Sequence, residues 1–181
     1  MKISAKQVLG ILYIFSWIIF AGVCVEAGGF IFNTVYDLVR PIGARNFWEG
    51  MDLSPLYHWD RGYFLVETSL MCLVAVMRAW IFYLIIRILH NKKLDLSQPF
   101  NQEVGRFISM LSYLSLMTGV LAQMGTKYAE WFVQQGVKMP DVHYLRLGGA
   151  DVWLFMGVTL FVIAHIFKRG IEIQSENELT V

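Results

Sequence analysis

Four long apolar runs, at residues 8–32, 63–89, 107–124 and 152–167, alternate with connections that carry most of the charge. About 18 or more mostly apolar residues suffice to cross roughly 30 Å of hydrocarbon as helix. The last two runs are short at about 1.5 Å per residue, so they are expected to extend into the interface. The pattern predicts an all-α polytopic membrane protein: four transmembrane helices in an antiparallel bundle, with spans at about 8–32, 63–89, 104–124 and 151–169. It reads as a single domain, 1–181, with two long outer loops (33–62 and 125–151) and a short cytoplasmic tail. Local signals sharpen two boundaries. Pro99 disfavours helix at Gln98, Asn101 is placed to cap, and Glu103 falls in the first turn, so the third helix begins near Asn101. Asp151 occupies a comparable capping position after Gly148 and Gly149.

Composition points the same way. Hydrophobic residues make up 56% of 181 and mean hydropathy is +0.51, more than a soluble domain of this size carries. The partner this implies is a lipid bilayer. A net charge of +1 argues against nucleic acid as a direct ligand. Cys24 and Cys72 sit inside apolar runs and read as packing residues rather than a disulfide. Lys2 and Lys6 before an apolar run also describe a signal peptide, but the run exceeds the usual h-region, so a retained helix is expected.

Cations set the orientation. Lys2, Lys6, Arg87, Lys92, Lys93, Arg106, Lys168 and Arg169 crowd short stretches on one side, whereas Arg40, Arg45, Arg61, Lys127, Lys138 and Arg146 are spread through the long loops. The positive-inside rule then puts both termini in the cytoplasm. Trp48, Tyr57, Trp59, Tyr63, Tyr128, Trp131, Tyr144 and Trp153 form either an aromatic belt at the headgroups or a small outer core.

Ionisable groups inside a span are expensive and mark candidate function. Glu26 lies near the outer end of the first span, Glu67 one turn into the second, and Arg78 close to its middle; Gln123 closes the third and His165 lies near the end of the fourth. Glu67 and Arg78 share a face but are separated by about 16 Å along the axis, so they do not pair. Glu26, Glu67 and Gln123 at similar depth suggest an outward-facing polar cluster. Arg78 is expected beside Ser115, Thr118 and Thr159, or Glu26 through its long stem. Such a network either responds to protons, ions, a ligand or voltage, or is interhelical glue. Gly28, Gly29 and Gly119 read as points of close helix contact or local bending.

Catalytic motifs are lacking: there is no phosphate-cradling glycine loop, no Gly-x-Ser-x-Gly, no His-Glu-x-x-His and no Cys-x-x-Cys. A haem between His90 and His165, or a metal shared by His58 and His143 with Asp60 or Asp141, would rest on isolated pairs without a supporting motif. No enzyme activity, cofactor or metal is expected.

The fourth run passes into Ile166-Phe-Lys-Arg-Gly-Ile-Glu-Ile-Gln-Ser-Glu-Asn-Glu-Leu-Thr-Val181, and Pro99-Phe100 opens the third helix. With these features the chain resembles the bacterial membrane family catalogued as domain of unknown function 2975, whose four-span layout agrees over nearly the whole chain. The resemblance implies an inner-membrane protein acting with a small helix-turn-helix regulator of the Cro/CI type, and brings no catalytic residue. The tail fits a contact role: Glu172, Glu176, Asn177, Glu178, Leu179, Thr180 and Val181 offer carboxylates and apolar hooks to a basic partner, alongside Lys92 and Lys93 of the middle linker. Alternatively the tail folds back on Lys92 and Lys93 and closes the bundle. The leading expectation is a non-enzymatic membrane regulator or sensor. An ion-coupled transporter using Glu26, Glu67 and Arg78, and a haem or quinone redox protein, are the alternatives; homo-oligomerisation stays open.

Overall fold

The computed structural model describes residues 5–40, 43–90 and 101–178. The order is α1 (Ala5–Val39), a 3-10 turn (Gly43–Asn46), α2 (Ser54–Trp59), α3 (Arg61–His90), α4 (Gln102–Gln134) and α5 (Ala150–Glu178), with no strand among the described residues. Helices α1, α3, α4 and α5 are each long and apolar enough to cross a membrane, as the four runs predict. They pack chiefly in chain order, α1 on α3, α3 on α4 and α4 on α5. Each pair is antiparallel: Tyr13 meets His90 while Thr34 meets Cys72, and Tyr63 stacks on Trp131.

The helices outrun the apolar stretches. Helix α1 continues past residue 32 to Val39, and Asn33 and Thr34 are accommodated within it by side-chain bonds to the carbonyls of Gly29 and Phe30, each at 2.8 Å. Helix α4 reaches Gln134, beyond the expected 124. Its start is as predicted: Asn101 is extended (φ −115°, ψ 152°) and accepts a bond from the Val104 N–H at 2.8 Å, with Glu103 in the first turn. Asp151 is not a cap. Gly149 adopts the left-handed conformation at φ 76° and its carbonyl accepts from Trp153 N–H at 3.1 Å, so the helix opens at Ala150 and Asp151 lies in the first turn.

The two long connections meet at one end and build a core there. Phe47, Leu53 and Leu56 from the first, and Val137, Leu145 and Leu147 from the second, pack against Phe30, Phe64, Met71 and Phe132 of the helices. Burying each such side chain contributes about 1.5–3 kcal/mol. The outer-core reading of the aromatics therefore holds for Tyr57 and, in part, Trp48 and Tyr128. Trp59, Tyr63 and Trp131 pack on one another at the rim in tilted and edge-on contacts, and Tyr144 is exposed. The first connection is locked by its own backbone, Leu53 N–H to Ala44 O at 2.7 Å and Phe47 N–H to Met51 O at 2.8 Å. Pro55 occupies the first turn of α2. The Ser54 hydroxyl (2.6 Å) and N–H (2.9 Å) both donate to Asp52 Oδ1, and the hydroxyl bond above all holds that carboxyl below the usual aspartate range. Its share of the turn's stability is present at neutral pH and lost only as pH falls through that lowered value.

Away from this cap the apolar side chains face outward along α1 and α5, as a bilayer would require. There α4 and α5 are held together by small residues. A Cβ on Gly119 would lie 2.7 Å from Leu154 Cγ and 2.9 Å from its backbone nitrogen, and one on Gly157 would lie 2.7 Å from Leu116 Cγ and 2.8 Å from the Leu116 nitrogen. The Ser112 hydroxyl donates to Gly157 O at 2.9 Å across the same seam. The expected close contact at Gly119 is therefore present; at the other pair, Gly29 receives the Trp48 ring whereas Gly28 faces open space. Gly157→Val should cost about 1–3 kcal/mol and lower the thermal midpoint of the detergent-solubilised protein, because backbone atoms must part. Gly10→Ala, where the space is open, should stay within about 0.5 kcal/mol.

Candidate functional site

Helix α1, helix α3 and the second connection converge on one carboxylate. Glu26 Oε2 lies 3.4 Å from Arg146 Nε, and Glu26 Oε1 lies 4.0 Å from Arg78 Nη1. Arg146 also donates from Nη2 to Glu49 Oε2 at 3.1 Å, and the Arg78 guanidinium stands over the Trp153 ring, 5.7 Å from its centroid. The chain Glu49–Arg146–Glu26–Arg78–Trp153 thus links both connections to α1, α3 and α5. Exposure falls along it: the side chains of Glu49 and Arg146 are 65% and 44% exposed, those of Glu26 and Arg78 19% and 16%. The inner pair is shielded from water and the outer pair is not. Next to it lies a cavity of about 630 Å³ lined by Ile19, Gly22, Val25, Glu26, Trp48, Glu49, Arg78 and Arg146.

The backbone marks the same place. Among the described residues, the non-glycine residues with positive φ are Glu49 (48°) and Arg146 (58°), and they are ion-paired to each other. Left-handed backbone at a side chain of this size costs of order 1–3 kcal/mol and persists where its surroundings hold it. Here the hold combines the ion pair with turn hydrogen bonds, Arg146 N–H to His143 O at 3.1 Å and Met51 N–H to Trp48 O at 2.9 Å.

Of the residues expected from sequence, Glu26 and Arg78 do meet. Glu67 and Gln123 do not join them. Because α1 runs on to Val39, Glu26 is level with Arg78 and not with the start of α3, which leaves Glu67 about 16 Å closer to the cap. Glu67 is fully buried there, neither oxygen having a hydrogen-bond partner among the described residues. None of the other companions expected for Arg78 hydrogen-bonds to it among the described residues. Thr118 and Thr159 donate to the carbonyls of Leu114 and Phe155 on their own helices, and Ser115 is buried with its hydroxyl unpartnered. His90 is engaged with Tyr13 on α1 at 3.1 Å and His165 packs on Phe161, so the two histidines belong to different contacts. Among the described residues no group of three or more His, Cys, Asp or Glu is placed to hold a metal.

At the tail, Glu172 pairs with Arg169 of its own helix at 3.1 Å, and a Cβ on Gly105 would lie 3.3 Å from Ile171 Cδ1, so α5 still rests on α4 at that level. Glu176 is exposed, and Asn177 and Glu178 end the helix. Lys92, Lys93, Leu179, Thr180 and Val181 lie outside the described residues.

Sequence reasoning missed Glu49, Arg146 and Trp153, which it had assigned to loop and belt, and Asp37, whose carboxyl is buried on α1 without a partner among the described residues. The available signals were slight: Asp37 stands five residues after the first apolar run, and Arg146 two residues before a glycine pair.

Over residues 48–181 the sequence matches the family described as protein of unknown function (DUF2975). The chain belongs to that family. The match covers Glu49, Arg78, Arg146 and Trp153 and leaves α1 with Glu26 outside it, a shorter reach than the resemblance over nearly the whole chain. No curated protein and no solved structure matches the chain.

In this DUF2975 protein the network can hold charge, orient a polar ligand and couple helices. It offers no nucleophile paired with a base. Glu26→Gln should destabilise the protein by about 2 kcal/mol, since two guanidiniums lose their common carboxylate in a shielded place. Glu49→Gln, at the exposed end, should cost less than about 1 kcal/mol. Thermal unfolding in detergent checks both, and equal shifts would remove Glu26 from the centre of the network.

Proposed function

We propose that this protein is a non-enzymatic regulator or sensor of the bacterial inner membrane. Both termini are cytoplasmic, the cap faces outward, and the tail binds a small helix-turn-helix regulator of the Cro/CI type. The observation that carries this reading is the continuity of α5. One unbroken helix runs from Trp153, beneath Arg78, to Glu178. A stiff element touching the charged network at one end and the tail at the other converts a change in the first into a displacement of the second. The strained Glu49–Arg146 pair supplies the element with two arrangements: when its ion pairs part, both left-handed residues can relax.

Solubilised full-length protein should co-purify with a small DNA-binding protein of its host, and deleting 176–181 should abolish that capture. Trp153→Ala, which frees α5 from Arg78, should change the captured amount severalfold. Unchanged capture by the truncated protein would end the tail's role as the contact. A transport reading finds support in the buried, unpartnered Glu67; proteoliposome flux that survives Glu67→Gln and Arg78→Ala would exclude it.

A further inference from the structure

We infer that the groove beside Glu26 binds a phospholipid whose headgroup carries both a phosphate and an ammonium group, with an acyl chain lying along α1. This names the ligand class of the site read above as the sensor's input, and rests on that reading only for the signal, not for the binding.

The groove has two chemically different ends. At one end Arg78 and Arg146 stand with Glu26 and Glu49, two guanidiniums and two carboxylates. At the other, Ile19, Gly22 and Val25 present an apolar wall on the flank of α1, where Ile19 and Val25 are exposed. A volume of about 630 Å³ is within the range of small-molecule sites, about 300–1,000 Å³. Balanced charge decides the ligand. A purely anionic group approaching the arginines also meets two carboxylates, whereas a headgroup of both signs sets its phosphate against Arg146 and Arg78 and its ammonium against Glu49. Arg146 binds its carboxylates through Nε and Nη2, leaving Nη1 to donate to the phosphate.

Depth agrees. Arg78 stands over Trp153, in the first turns of α5 just after Asp151, so the charges lie where that helix begins and the apolar wall runs away from them. A headgroup at this level has its chains directed along the span. Gly22 completes the track: a Cβ there would meet nothing within 4 Å, so the missing side chain leaves room for an alkyl chain against the backbone.

Purified full-length protein, delipidated in detergent and examined by native mass spectrometry, should retain added phosphatidylethanolamine at least about tenfold more strongly than phosphatidylglycerol, and inorganic phosphate should not displace it. Arg146→Ala, which removes charge-assisted bonds to the phosphate, should weaken retention about tenfold or more. Gly22→Leu should do the same by filling the track while leaving every ion pair in place, which keeps the test valid if Arg146→Ala fails to fold. The inference falls if phosphatidylglycerol binds as well, if inorganic phosphate competes, if Gly22→Leu binds normally, or if crosslinking in vesicles shows a second copy seated on the groove. Loss of lipid retention with tail capture intact overturns this inference alone; loss of capture with lipid retention intact overturns the sensor reading alone.

Discussion

One carboxylate shared by two guanidiniums joins parts of the chain that are otherwise far apart. Glu26 meets Arg78 from α3 and Arg146 from the second connection, and Arg146 passes the linkage on to Glu49 in the first. Taken singly, pairs of this exposure contribute little: a surface ion pair is worth about 0–1 kcal/mol. The arrangement matters because it is a chain with a shielded centre. Removing an outer member leaves water to solvate what remains, while removing the centre leaves like charges facing each other where water is scarce. Helix α1 packs mainly on α3 and otherwise presents its apolar side chains outward, so this linkage, with Phe30 under Phe47 and Trp48, fixes its rotation and depth.

The cap explains why the network can sit where it does. Helices α1, α3 and α4 run farther at that end than apolar run length indicates, and the connections fold inward over them around Phe47, Leu53, Leu145 and Leu147. Helix α5 starts lower, and its first turns therefore meet α3 in the middle. Arg78 is central in its own helix and terminal with respect to α5. A residue that looks like a mid-membrane charge is thereby brought toward a helix end, where its cost is lower.

This staggering is also the limit of what sequence can say. Four helices, their antiparallel order and the Asn101 cap are legible because each follows from local rules, apolar run length or a capping side chain. The meeting of Glu26 with Arg78 was within reach of a long side chain and was legible for that reason. Its level was not, because level depends on where α1 ends, and α1 runs on through Asn33 and Thr34, which composition counts as loop. Arg146 and Glu49 were invisible for a different reason: their role comes from two turns of backbone that approach only when both connections have folded onto the same core. Glu67 illustrates the converse. It was expected level with Glu26 and instead is buried nearer the cap, about 16 Å from that level, without a hydrogen-bond partner among the described residues.

At Glu49 and Arg146, backbone strain is set against the contacts that hold the two residues in place. Two non-glycine residues at positive φ store of order 1–3 kcal/mol each. The bonds opposing their release include one ion pair at 3.1 Å that is largely exposed, worth about 1 kcal/mol or less, one at 3.4 Å to the more shielded Glu26, and the backbone bonds from Arg146 N–H to His143 O at 3.1 Å and from Met51 N–H to Trp48 O at 2.9 Å. The buried neighbours Phe47, Met51, Leu145 and Leu147 anchor both turns in the core and add to that hold. A ligand that bridges the guanidiniums and carboxylates adds bonds on one side of this balance only, and a difference of about 1.4 kcal/mol shifts the population tenfold. Helix α5 meets the network through Trp153 and the Arg78 guanidinium and continues unbroken to Glu178, so a change at the network would reach it first.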